Sequence, residues 1–231
     1  MFYAISGING DYEAYKRALK KLKFQNLDDI KEEDIMNEEA VISTLEGEDV
    51  LYVLGNIIGA GGGSMKILQD MMSRDNVIAV VGENEYKITQ ALKALNDHIQ
   101  STGEVPPQML VDKITSMLGE ELSGAVEEFL QLDDEEREDV IEYIDEISEE
   151  VMMARKKFVL VHAGIRNFDP KKELDEYDTE DFITEPADLD KTYYKNRTLV
   201  VGHVPTTELG GEGKIVKKNN NVAIDCGCGK G

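Results

Sequence analysis

The chain has 231 residues, of which 41% are hydrophobic, and a formal net charge of −22 at pH 7. That length is enough to bury a core as a single domain over 1–231, and that charge excludes partners whose affinity rests on Lys and Arg meeting phosphates, namely nucleic acid and anionic lipid. No apolar run of membrane-spanning length and no basic-then-apolar leader pattern occurs, so a cytoplasmic protein is expected.

In chain order, Phe2 to Ser6 reads as a buried strand, and Tyr12, Tyr15, Leu19 and Leu22 mark one face of a helix over Tyr12 to Leu22. Val50 to Leu54 and Val77 to Val81 repeat the strand signal, with Met65, Leu68 and Met72 marking a helix between them. Each strand runs into a glycine-bearing segment: Ser6-Gly7-Ile8-Asn9-Gly10, then Gly55-Asn56-Ile57-Ile58-Gly59-Ala60-Gly61, then Gly82-Glu83-Asn84-Glu85. Loops at the carboxyl ends of strands are where ligand sites collect in α/β sheets. Gly59 to Gly63 also raises the possibility of a phosphate cradle at the start of a helix near Ser64. It lacks a P-loop lysine, and the alternative is a flexible glycine rim.

Tyr86 to Arg155 has no strand-like run and shows four helical faces. They are Ile88, Leu92, Leu95 and Ile99; Leu110, Ile114 and Met117; Val126, Phe129 and Leu130; and Val140, Ile144, Ile147 and Val151. Between Glu120 and Glu150 stand fifteen acidic residues against one basic residue, Arg137, so the acidity belongs to a helical insertion, 86–156, and reads as a solvated outer face. Lys157 to Val161 and Arg197 to Val201 return to strand character, ending in His162-Ala163-Gly164-Ile165 and Gly202-His203-Val204-Pro205-Thr206. Lys214 to Lys217 and Val222 to Asp225 read as a hairpin joined through Lys218 to Asn221. Cys226 and Cys228 are too close along an extended segment for a comfortable disulfide and read as half-buried thiols beside a turn.

In order, spacing and flanking strands, the five glycine- and histidine-bearing segments resemble the D-x-H-G, G-D-x-x-D-R-G, G-N-H-E, H-A-G and G-H-x-P motifs of PPP-type serine/threonine phosphatases, the calcineurin-like metallophosphoesterases, in a bacterial-type form. The resemblance implies a four-layer αββα sandwich of the mixed α/β class. It also implies a two-metal site in which the ions make a hydroxide nucleophile and clamp phosphoryl oxygens. Carried onto this chain, the first metal's Asp, His and bridging Asp become Gly7, Asn9 and Asn56. Glycine offers no ligand, and amides substitute poorly for carboxylate and imidazole. The second set becomes Asn56, Glu83, His162 and His203, with acid and amide exchanged relative to the family, so one divalent metal (Mn, Zn or Fe) could be held there; a site without metal is equally open. Taken singly, His162 would read as a buried histidine and His203 as a turn residue before Pro205.

The second motif's remaining aspartate and arginine become Gly59 and Ala60, and the G-N-H-E histidine that assists as acid becomes Asn84. Asn9, Asn56 and Asn84 read as polar filling of a vacated cavity, and Glu85 as a buttress for the loops. The favoured reading is a pseudophosphatase that binds a protein or phosphoprotein partner, the latter needing a local basic pocket. The alternatives are a single-metal phosphoesterase using Glu83, His162 and His203, and a structural subunit without a ligand.

Overall fold

The computed structural model describes residues 1–24, 49–149 and 151–227; Glu150 and Cys228 lie outside them. Strands β1 (Phe2–Ile5), β2 (Val50–Leu54) and β3 (Val77–Val80) form a parallel sheet in that order, with Phe2 opposite Val50 and Leu51 opposite Val77. Helix α1 (Tyr12–Leu22) follows β1, and α2 (Ser64–Met72) lies between β2 and β3. Four helices follow β3: α3 (Glu83–Thr102), α4 (Gln108–Leu118), α5 (Glu120–Leu130) and α6 (Asp134–Glu149). A second sheet has β4 (Met152–Ala154), β5 (Phe158–Val161), β6 (Thr198–Val201), β8 (Asn221–Ala223) and β7 (Val216–Lys218) in that spatial order. A short helix α7 (Thr179–Ile183) lies in the segment between β5 and β6.

Strand alternation sorts the side chains into layers. Leu51, Val53, Val77 and Ala79 join one cluster with Leu19, Leu68, Ile88, Phe129 and Ile144 from the helices. Tyr52, Leu54, Val80 and Leu160 meet between the two sheets. Val159, Val161, Leu199 and Val201 pack under the 165–193 segment with Phe182 and Tyr193. Helices, sheet, sheet and a mostly irregular outer layer follow one another, the two-sheet sandwich that the motifs imply. Between α1 and α2 a buried ion pair is fully satisfied: Arg74 Nε and Nη2 donate to the two Asp70 oxygens at 2.7 Å each, and the Tyr15 hydroxyl donates to Oδ2 at 2.6 Å.

The structure corrects four expectations. Among the described residues β1 is an edge strand, not a buried one, and its Phe2 is 57% exposed. The 86–155 stretch does contain a strand, β4, which pairs antiparallel with β5, so Val151 precedes a strand instead of ending a helical face. On α4 the inward face is rotated: Val111 is buried and Met117 is exposed, because Val111, Ile114 and Leu118 follow the helical period more closely than a stripe ending at Met117. The hairpin is also tighter than predicted. Lys218 pairs with Asn221 across a two-residue turn in which Asn219 (φ 49°) and Asn220 (φ 64°) are both left-handed, the conformation that suits a two-residue hairpin. Asn220→Val should cost about 1–2 kcal/mol by urea unfolding, since a β-branched side chain is strained at positive φ, while Asn220→Gly should stay within about 0.5 kcal/mol.

Candidate functional site

Five loops follow β1, β2, β3, β5 and β6, and main-chain hydrogen bonds tie the first to the second and the fourth to the fifth. The Asn9 amide donates to the Asn56 carbonyl at 2.7 Å, Gly10 to Ile57 at 2.8 Å and Gly202 to His162 at 2.8 Å. Glu85, in the first turn of α3, is fully buried and fastens two of these loops. Its Oε1 accepts the amides of Ile57 and Ile58 at 2.8 Å each, and its Oε2 accepts those of Asn56 at 3.0 Å and Gly82 at 2.9 Å. Burial raises this carboxyl above its ordinary range, while the amides that bond it pull the other way. Asn84 is buried beside it and donates to the Ile58 carbonyl at 2.8 Å and to Glu121 Oε1 at 3.4 Å. Glu121, on α5, had no signal in the sequence beyond the general acidity of the insertion.

The two histidines meet. His162 is completely buried at the end of β5, and its Nδ1 lies 2.9 Å from the Leu54 carbonyl, so Nδ1 carries the proton there and Nε2 keeps its lone pair. That Nε2 lies 3.0 Å from Nδ1 of His203, which adopts a left-handed backbone (φ 66°) to present its ring. Burial pushes His162 down to about 4, so the ring is neutral near pH 7. An imidazole that donates its other N–H to a main-chain carbonyl is the usual form of a metal-binding histidine. Gly55, immediately before Asn56, rests on this ring: a Cβ there would come within 2.3 Å of His162 Nδ1. Glu83 is near enough to act electrostatically on His162, yet its carboxylate is engaged with Lys87 Nζ at 2.8 Å.

Around the first position the chain has closed into the space. Gly7 has φ +71°, and a Cβ on it would lie 2.6 Å from Oδ2 and 2.7 Å from Oδ1 of Asp225, so the carboxylate of Asp225 fills the room a side chain at position 7 would need. Asp225 follows β8 and is 4% exposed; the sequence reads it only as the end of the second hairpin strand. A Cβ on Gly59 would lie 2.7–2.8 Å from the main chain of Asn9, and one on Gly61 would lie 2.4 Å from the Asp11 nitrogen. The Gly59 and Gly61 amides are spent on Ser64 Oγ at 3.2 Å and the Asn9 carbonyl at 2.8 Å. The glycine run is therefore neither a phosphate cradle nor a loose rim at these residues. It is a tight seam against the first loop, with Ala60 exposed at its edge.

Asn9 donates through Nδ2 to the Gly7 carbonyl at 3.2 Å, and its Oδ1, like Asn56 Oδ1 and Thr206 Oγ1, is buried without a hydrogen-bond partner. These orphaned oxygens mark a polar space between the loops. A two-metal centre does not fit the residues present. Among the described residues no group of three or more His, Cys, Asp or Glu side chains comes together, and the first position has amide oxygens and one carboxylate, Asp225, which already accepts the Gly227 amide. Two imidazole nitrogens 3.0 Å apart and an unpartnered amide oxygen from Asn56 fit at most one cation. Cys226 is a free, half-buried thiol.

No protein-family model matches the sequence, and no curated protein matches it. Solved structures do match. A crystal structure described as that of a "putative diadenosine tetraphosphatase" superposes with a TM-score of 0.60 at 14% identity, covering 99% of this chain and 84% of that one. A protein serine/threonine phosphatase from Saccharomyces cerevisiae, with similarity to human phosphatase PP5, superposes with a TM-score of 0.51 at 9% identity, covering 96% of this chain and 65% of that one. A metallophosphoesterase from Sphaerobacter thermophilus aligns at a TM-score of 0.45 and 15% identity, over 87% of this chain and 59% of that one. The likeness to the first two structures is one of fold, two layered sheets with helices packed outside one of them. More particularly, the chain has the calcineurin-like, PPP-type phosphoesterase fold.

Proposed function

We propose that this protein is a pseudophosphatase: a phosphoesterase scaffold, built as one domain over 1–231 with 86–156 inserted, that binds a protein or phosphoprotein partner and does not turn over phosphomonoesters. The observation that carries this reading is the Asp225 carboxylate in the room that a side chain at Gly7 would need, together with the seam of Gly59 on Asn9. A two-ion clamp on the attacking and leaving oxygens needs both metal positions, and the general acid is replaced by Asn84, which is engaged with Ile58 and cannot deliver a proton near neutral pH. The strong net charge of −22 favours a protein partner over nucleic acid or anionic membrane, consistent with a cytoplasmic setting. Among the described residues, no helix is long and apolar enough to cross a membrane.

The direct test is hydrolysis of p-nitrophenyl phosphate with added manganese. The expected rate is no higher than that of a Glu83→Ala, His203→Ala double variant, and turnover clearly above that control overturns the reading. A second reading, a single-metal phosphoesterase, is favoured by the His162–His203 pair and the orphaned Asn56 oxygen. If one Mn, Zn or Fe ion binds, His162 Nε2, His203 Nδ1 and Asn56 Oδ1 would hold it, with Glu83 able to join only by leaving Lys87. Such an ion would supply Lewis-acid polarisation of a phosphoryl oxygen. Elemental analysis after equilibration with each metal should find at most one ion per chain, reduced by His162→Ala; two ions per chain would contradict the ligand assignment.

A further inference from the structure

We propose that a cavity on the outer side of the second sheet binds a nucleotide-type anion, a planar base and ribose carrying phosphate, at a place separate from the five loops. The cavity has a volume of about 740 Å³, within the range of small-molecule sites. It is built from the chain that crosses the outer layer between β5 and β6, with Met152 of β4 and Leu174 among its apolar lining.

Three features of its wall correspond to the three parts of such a ligand. Phe168, Tyr193 and Tyr194 form an aromatic cluster, with the Phe168 ring 5.1 Å from Tyr193 and 5.3 Å from Tyr194 in edge-on arrangements. They offer a stacking surface for a base, and such stacking tolerates any planar ring. Lys172, Lys195 and Arg197 line the same cavity. Among the described residues none of the three makes an ion pair, although acidic side chains outnumber basic ones 47 to 25 in the chain. Lys172 Nζ already lies over the Tyr177 ring, 3.9 Å from its centroid, so Lys195 and Arg197, two cations without carboxylates in so acidic a protein, are the donors a phosphate requires. Glu173 and Asp175 also line the cavity, and carboxylates accept hydrogen bonds from a ribose diol as they do in dinucleotide sites.

The Tyr194 hydroxyl supplies an independent sign of a missing ligand atom: it is buried and has no hydrogen-bond partner. Burial pushes Tyr194 up to about 12, so it stays protonated and able to donate near neutral pH. Lys191 is already placed over the Phe168 and Tyr193 rings, at 5.3 Å and 5.1 Å from their centroids, and stiffens the aromatic wall instead of joining the phosphate donors.

The test is a fluorescence titration of the intact protein with N-methylanthraniloyl-ADP, competed by ADP, adenosine and inorganic phosphate. Saturable binding is expected, with ADP displacing the probe at least about ten-fold better than adenosine or phosphate alone. Lys195→Ala with Arg197→Ala should weaken binding about 30-fold, and Tyr194→Phe about five-fold. His162→Ala with His203→Ala should leave it unchanged, which separates this site from the loops discussed under the proposed function. Lys195 and Arg197 are exposed, so circular dichroism should show both variants folded. Absence of saturation, phosphate competing as well as ADP, or loss of binding in the histidine variant with retention in the Lys195/Arg197 variant would each overturn the proposal.

Discussion

The Gly7→Asp, Gly59→Asp variant is expected to lose about 4 kcal/mol of stability and to gain no phosphatase activity, even when combined with Asn9→His, Asn56→Asp, Ala60→Arg, Glu83→Asn and Asn84→His. At Gly7 the backbone is left-handed (φ +71°), which costs an ordinary residue about 1–2 kcal/mol. The new side chain would also have to expel the Asp225 carboxylate, which lies 2.6 Å from the added Cβ and accepts the Gly227 amide at 2.9 Å. Breaking that bond inside the protein costs about 1 kcal/mol or more, before any repulsion between two carboxylates in one space. At Gly59 the added Cβ meets the main chain of Asn9 at 2.7–2.8 Å. Main chain cannot rotate out of the way as a side-chain tip can, and forced overpacking of this kind costs about 1–3 kcal/mol. Ala60→Arg by itself should be harmless, because Ala60 is exposed. Urea unfolding of the single, double and sevenfold variants measures the losses, and a manganese-dependent phosphatase assay reads the function. A sevenfold variant as stable as the parent that hydrolyses p-nitrophenyl phosphate would show that the seam opens freely and that only ligands were missing.

This expectation also shows what local pattern can and cannot carry. β2 and α1 have the limits that their periodicity predicts, Val50–Leu54 and Tyr12–Leu22, because apolar spacing and the Asp11 cap, which accepts the Ala14 amide at 2.8 Å, are written within each segment. The order of the loops along the chain was equally legible, since each follows a strand. The contact between Gly7 and Asp225 was not, because it joins the two ends of the chain and depends on how β8 is seated in the second sheet. Gly59 to Gly63 looked permissive in isolation. Only with the first loop in place do the missing Cβ atoms of Gly59 and Gly61 become a requirement for close approach. β4 was hidden for a related reason: Met152–Ala154 has no alternation of its own and becomes a strand by pairing with β5. The cationic aromatic cavity draws on residues from 152 to 197, dilute in a sequence dominated by acidic residues.

Replacing Glu85 is expected to produce the other large effect. Its two oxygens each accept two main-chain amides, so one side chain closes four donors that belong to the second loop and to the start of α3. Glu85→Ala leaves all four buried donors without an acceptor and should cost about 4 kcal/mol or more, a large share of the about 5–15 kcal/mol that holds a domain together. Glu85→Gln is nearly isosteric, yet its amide nitrogen must face two N–H donors, so about 3 kcal/mol is expected to be lost. The pH dependence has a definite sign. Burial raises the Glu85 carboxyl above its unfolded value, so the folded protein binds the extra proton between the two values. Stability from this group therefore falls as pH rises through that window, and the dependence disappears in Glu85→Gln. Urea midpoints across mildly acidic pH measure both effects. Amide hydrogen exchange gives the local readout: Asn56, Ile57 and Ile58 should exchange faster in Glu85→Gln, while the β5 and β6 amides keep their relative protection. Unchanged exchange at those three positions, with an unchanged midpoint, would mean that the loops are held by their mutual main-chain bonds and the buried carboxylate is dispensable.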